Sequence, residues 1–251
     1  MSCKKRRDDD FENEEIVRVE LEGFPPKPED RDGIIQLLKQ SMPKDSNLPL
    51  GDLADFIIAQ PFLGTVVKNE FDETDADDDD DDIVFSLTTV VSLCESVVSR
   101  SSIISKLRDF LKSFISRGNL SSTDARTLVK ILMGEGPGKP GLLINERFVN
   151  LPPRVAAESV AALPQEILNL PEEDRPTHLF ILTRVFKSPE SNEEVYVQPE
   201  MEVVRKMALA VIETEVVNTA PDGDMETIIY VIMAINFSNL SEILDILAST
   251  Q

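Results

Sequence analysis

Residues Gly141–Phe186 read GLLINERFVNLPPRVAAESVAALPQEILNLPEEDRPTHLFILTRVF, and the order of apolar patterns within them decides the fold class. A short apolar run at Leu142–Ile144 has the length of a strand. Pro152-Pro153 then suit the first turn of a helix, whose spacing carries on to about Leu168. From Leu179 to Phe186 the pattern returns to strand, and LFIL (Leu179–Leu182) is continuously apolar, as in a central strand covered on both faces. Strand, helix and strand in that order make a βαβ unit, which implies a sheet with helices packed on it.

Upstream of this unit the chain gives further elements. Val17, Val19 and Leu21 alternate with charged residues, so a strand is expected from about Ile16, ending at Phe24-Pro25-Pro26. Ile34, Ile35, Leu37 and Leu38 predict a helix; Leu50, Leu53, Phe56 and Ile57 predict a second. Phe62–Val67 reads as a short strand, and Ile83, Phe85, Leu87 and Val91 as another. Between them, residues 71–82 hold Asp72, Glu73, Asp75 and the unbroken run Asp77–Asp82, which repels itself into solvent. Ile103 to Ile115 keeps helical spacing up to Gly118-Asn119, and Ser121 with Asp124 suggests a capping box for a helix ending at Gly134.

Downstream, strands are expected within Leu209–Val217 and over Ile228–Ile235. A closing helix carries Leu240, Ile243, Leu244 and Leu247, with Asn239 and Glu242 placed to cap it. No internal repeat is visible. The expectation is a charged tail at 1–15, then one α/β domain at 16–251: a single mixed sheet flanked by helices, with an acidic insert at about 71–82.

Charge narrows the function classes. The 251 residues hold 46 Asp plus Glu against 25 Lys plus Arg, a formal net charge of −21. Such a field repels nucleic-acid phosphates and anionic lipid and attracts cations, so a basic protein is the expected partner, with no direct nucleic acid and no membrane. No apolar run reaches the length of a membrane span, and Cys3 and Cys94 supply neither a disulfide framework nor a metal spacing; a reduced protein of the cell interior is expected. Lys4, Lys5, Arg6 and Arg7 read either as a nuclear localisation signal or as a charged terminus. Asp77, Asp78, Asp79, Asp80, Asp81 and Asp82 read either as a solubilising loop or as a docking strip for a basic segment. They lack the glycine, the spaced ligands and the distal glutamate of an EF-hand.

Catalytic motifs fail on spacing. In MGEGPGKPG (Met133–Gly141) only three residues separate Gly134 from Gly138 where a P-loop has four, and Pro140 follows Lys139 where a P-loop needs a hydroxyl. Pro137 and Pro140 also remove backbone donors, and these glycines follow a helix rather than a strand, so a tight connecting loop is expected. His178, the only histidine, stands at the mouth of a strand with no nucleophile motif near it. No catalytic residue, cofactor or metal is assigned.

The block GLLINERFVNLPPRVA (Gly141–Ala156) resembles the hallmark of the BCCIP family, a eukaryotic group that includes the yeast BCP-type proteins. Its turn residues here are Glu146, Arg147, Phe148, Val149, Asn150, Pro152 and Pro153. Pro152-Pro153 set the first helical turn and Asn150 is placed to cap it. DGIIQLL (Asp32–Leu38), LGTVVK (Leu63–Lys68) and Ile83–Leu93 are similar to other family blocks in the same order, while Phe186–Glu194 is shorter than in many members. The resemblance implies a fold like that of GCN5-related acetyltransferases without their activity; Ile131 stands where their cofactor loop has Gln or Arg. It also implies a nuclear, non-catalytic protein that escorts a basic ribosomal protein in large-subunit assembly and nuclear export, or that takes part in cell-cycle and DNA-repair interactions. A divergent acyl-CoA-dependent transferase is the enzymatic alternative.

Overall fold

The computed structural model describes residues 21–60, 62–69, 83–118, 122–136, 138–187, 194–219 and 225–249. The strands are β1 (Leu21–Phe24), β2 (Thr65–Asn69), β3 (Ser86–Ser92), β4 (Pro140–Arg147), β5 (His178–Lys187), β6 (Glu194–Tyr196), β7 (Ala210–Thr219) and β8 (Met225–Asn236). They form one sheet in the order β1-β2-β3-β4-β5-β8-β7, with β6 added to β5. Only β4 and β5 run parallel, pairing Pro140–Leu143 with His178–Ile181; the other described pairs are antiparallel. The sheet is mixed because a single helical crossover joins strands that otherwise meet by reversal.

Eight helices cover the sheet among the described residues: α1 (Arg31–Ser41), α2 (Leu50–Ile58), α3 (Glu95–Arg100), α4 (Ser102–Arg117), α5 (Thr123–Leu132), α6 (Ala157–Ile167), α7 (Glu200–Arg205) and α8 (Leu240–Ser249). Helices α1 to α5 bury Ile34, Leu37, Leu107 and Phe114 against Leu142, Phe180 and Ile232 on one face. Helices α6 to α8 bury Val160, Leu163 and Ile243 against Leu143, Leu179 and Ile235 on the other. Covered on both sides, β5 needs apolar side chains in every position from Leu179 to Leu182, and all four are buried. None of the described helices is long and apolar enough to cross a membrane.

Several expectations need correcting. The strand expected over Phe62–Val67 begins at Thr65, because Phe62 has φ 58° and Gly64 φ 111°, which no strand accommodates. Strand β3 is buried at all seven positions, so the alternation expected there gives way to a doubly covered strand filled partly by Ser86, Thr88 and Thr89. The cap of α5 is Ser122, whose Oγ accepts from Ala125 N at 3.0 Å; the Asp124 carboxylate instead accepts from Val211 N at 3.2 Å. Asn150 does not cap the helix after it. Pro152 holds that position with no side-chain hydrogen bond, because a 3-10 turn (Pro153–Ala156) precedes α6. Asn239 Oδ1 accepts from Ser238 Oγ at 3.4 Å rather than capping α8. Helices α3 and α7 and strand β6 were not expected. Val17 and Val19 lie outside the described residues.

The pairing directions fix one further relation. Leu21, Asn69, Ser86, Arg147, Lys187, Thr219 and Met225 all stand at the same end of the sheet. The segments joining β2 to β3, β5 to β6 and β7 to β8 therefore leave from that end.

Candidate functional site

At that end β4 and β5 part. Their pairing stops at Leu143 and Ile181, and β8 already holds the other edge of β5, so β6 takes the vacated edge at Val185–Lys187. Beyond the branch, β4 carries Asn145, Glu146 and Arg147, all buried. Alternation along the strand puts Glu146 in the row of Leu142 and Ile144, facing α1 to α5, and Asn145 and Arg147 in the row of Leu143, facing α6 to α8.

Polar groups fill the branch. Gln198 Nε2 donates to Asn145 O at 2.9 Å, and Thr88 Oγ1 donates to Asn145 Oδ1 at 3.0 Å. The Arg147 guanidinium donates from Nη1 to Glu200 Oε1 at 2.6 Å and from Nη2 to Glu200 Oε2 at 3.1 Å. Its Nε donates to Leu151 O at 3.0 Å. One side chain thus ties the sheet, the turn after β4 and the first residue of α7 together. Phe148 meets Phe85 edge to face at 5.7 Å between ring centroids, its N–H donates to Phe85 O at 3.0 Å, and Pro153 is buried. Asn150 is exposed. The geometry of Arg147, Phe148, Pro152 and Pro153 is that of a clamp on the chain reversal.

Glu146 is the exception to this satisfaction. Its carboxyl makes no hydrogen bond or ion pair among the described residues. Burial, aided by Glu200, pushes its carboxyl up to about 8 against the opposing pull of Arg184 and Arg147. Sequence reasoning missed Gln198, Arg184 and Glu200. A buried arginine at a strand end demands an acidic partner, but nothing in the sequence says which of many glutamates supplies it.

At the opposite end, a cleft of about 360 Å³ lies between α5 and β4, lined by Cys94, Arg108, Gly134, Gly136, Lys139 and Glu173 among others. Gly134 and Gly136 have φ of 65° and 131°, as a tight helix-to-strand turn requires. Lys139 Nζ donates to Glu172 O at 2.7 Å, so the loop lysine is spent on the backbone. Burial raises the Cys94 thiol above its ordinary range, the reverse of an activated nucleophile. Burial lowers His178, whose Nδ1 lies 2.9 Å from Thr177 Oγ1. Among the described residues no group of three or more His, Cys, Asp or Glu side chains is placed to hold a metal.

Asp77–Asp82 and Lys4–Arg7 lie outside the described residues. The strands that flank the aspartate run are described: β2 and β3 are antiparallel neighbours.

The sequence profile of the BCCIP family matches residues 16–221. Protein bcp1 of Schizosaccharomyces pombe is 29% identical over 181 residues, which cover 70% of this chain and 60% of that protein. Protein bcp1 of Emericella nidulans is 30% identical over 189 residues, covering 73% and 60%. The human relative, named BRCA2 and CDKN1A-interacting protein, is 29% identical over 165 residues, covering 65% and 51%. The matches therefore span 60% of the length of these fungal relatives and about half of the human one. The crystal structure of BCP1 from Saccharomyces cerevisiae superposes with a TM-score of 0.64 over 96% of this chain and 92% of that one, at 22% identity, a likeness of fold. With the profile matching well over half of its residues, including the Gly141–Ala156 clamp, this chain belongs to the BCCIP family.

Proposed function

We propose that the chain is a non-catalytic nuclear binding protein that shields and escorts a basic protein client, a large-subunit ribosomal protein being the leading case. The observation that carries this reading is the net charge of −21, concentrated in part in a run of six aspartates joining two neighbouring strands. Long-range attraction of this kind speeds encounter with a cationic partner more than it sets final affinity. The satisfied clamp at Arg147 and the unactivated thiol of Cys94 support a binding role over a catalytic one. Lys4–Arg7 would act as the import signal. The chain would share with GCN5-related acetyltransferases the fold alone, so a flat calorimetric titration with acetyl-CoA is expected.

The test is affinity capture of the tagged protein from its own cells, washed at low and then high salt. A basic ribosomal protein in near-equal amount that salt weakens is the expected result. The human relative's name favours a second reading, a cell-cycle and DNA-repair scaffold. A neutral or acidic regulator that survives high salt, with no basic partner, would replace the first reading by the second.

A further inference from the structure

Apart from the short branch strand β6, the sheet ends in β1 on one side and β7 on the other, and the described residues close only β7. Along β7, the Asp124 carboxylate takes up Val211 N, and Gly118 sits so close that a Cβ there would lie 2.8 Å from Ile212 Cγ2. Strand β1 pairs with β2 alone, and no second strand flanks Leu21, Glu22 or Gly23 among the described residues. An open edge offers alternate N–H and C=O groups that an extended chain can continue. Gly23 is required by the neighbouring strand, since a Cβ there would lie 2.9 Å from Thr65 Cγ2.

Beside the edge, on the side of α6, lies an open trough of about 520 Å³. Leu21, Gly23, Thr65 and Val67 form its floor, and Arg154 and Glu158 stand on its wall. Glu22 is exposed on the strand itself. Asn69 stands opposite Leu21, and the chain continues from it as Glu70-Phe71-Asp72. Nine carboxylates lie between Asp72 and Asp82. Among the described residues this edge presents the carboxylates of Glu22 and Glu158, with Arg154 the one cation on the trough wall, on a chain of net charge −21.

We propose that β1 is the docking edge for an extended, lysine- and arginine-bearing segment of a protein partner, which joins the sheet as an added strand. Its side chains alternate between the trough, beside Glu158, and the opposite face, beside Glu22. The proposal rests on the basic-partner reading above and adds the surface and the form of the ligand.

The probe is a short fluorescein-labelled peptide of alternating lysine and valine, titrated against the full chain at low salt by anisotropy. A second peptide has the same sequence with its backbone nitrogens methylated, so its charge is unchanged and its donors are gone. The methylated peptide should bind about tenfold more weakly or worse, and the unmethylated one should slow amide exchange at Leu21–Gly23. Glu22→Lys with Glu158→Lys should weaken binding several-fold more than the charge-matched pair Glu242→Lys with Asp245→Lys on α8. Equal affinity of the two peptides, or exchange at β1 that binding leaves unchanged, overturns edge docking and leaves the basic-partner reading standing. Failure of both peptides to bind at low salt removes both.

Discussion

Arg147 grips Glu200 at both carboxylate oxygens, 2.6 Å from Nη1 to Oε1 and 3.1 Å from Nη2 to Oε2, with both side chains shut off from solvent. Removing one partner strands the other charge in the interior, which costs about 3–5 kcal/mol, whereas replacing both by apolar groups of similar volume is close to neutral. Arg147→Met and Glu200→Met should each lower the urea unfolding free energy by about that amount. The double variant should recover most of the loss. A double variant as unstable as the sum of the singles would shift the credit to the Arg147 bond with Leu151 O.

Glu146 gives a pH signature of defined sign. Its carboxyl titrates at about 8 in the folded chain against an ordinary 4.5. Between those values the native state holds a proton that the unfolded chain has released. Its contribution is whole below about 4.5 and is lost as pH rises toward 8. The slope approaches about 1.4 kcal/mol per pH unit within that window. Glu146→Gln should flatten the dependence, so the variant gains on the parent between pH 6 and roughly 8. Parallel stability curves for the two proteins would mean that Glu146 is already ionised when folded.

These two side chains also mark where the sequence stops being readable. The βαβ unit was legible because each of its elements is a continuous apolar pattern set off by turn residues, and α4 because Ile103 to Ile115 repeats at helical spacing. Strand β6 and helix α7 are too short, at three and six residues, to carry a period. Strand β3 defeated alternation because both its faces are covered, so serine and threonine serve as core residues. The clamp block was visible as a motif, but its purpose depends on Glu200, 53 positions from Arg147, which only tertiary structure brings near.

Gly64 and Gly134 both have positive φ, yet they should respond differently to alanine. At Gly64, φ is 111° and an added Cβ would lie 2.8 Å from Thr89 Oγ1 and 2.9 Å from Thr89 Cβ, on a buried strand that cannot retreat. At Gly134, φ is 65° and nothing lies within 4 Å. Backbone strain alone costs about 1–3 kcal/mol at such positions. Gly64→Ala should exceed that range because the clash adds to the strain, and Gly134→Ala should stay near its lower end. Equal losses in thermal or urea unfolding would show that β2 shifts to make room.

Cys94 should behave as a packed apolar side chain. It is 5% exposed, its Sγ lies 3.7 Å from Pro140 O, and burial raises its thiol pKa, with a smaller opposing hydrogen bond from Ser92. Because the folded value is raised, the native thiol keeps its proton in the range just above the ordinary pKa where the unfolded chain has lost it. Its contribution to stability is present below that range and falls as pH climbs through it. The thiolate is the reactive form, so iodoacetamide at pH 8 should leave Cys94 unmodified in the native protein and modify it once urea unfolds the chain. Peptide-resolved mass spectrometry separates this from any labelling of Cys3. Rapid native labelling of Cys94 would mean that the cleft beside Gly134 and Lys139 opens far enough to expose the thiol, and would reopen the case for a reactive cysteine there.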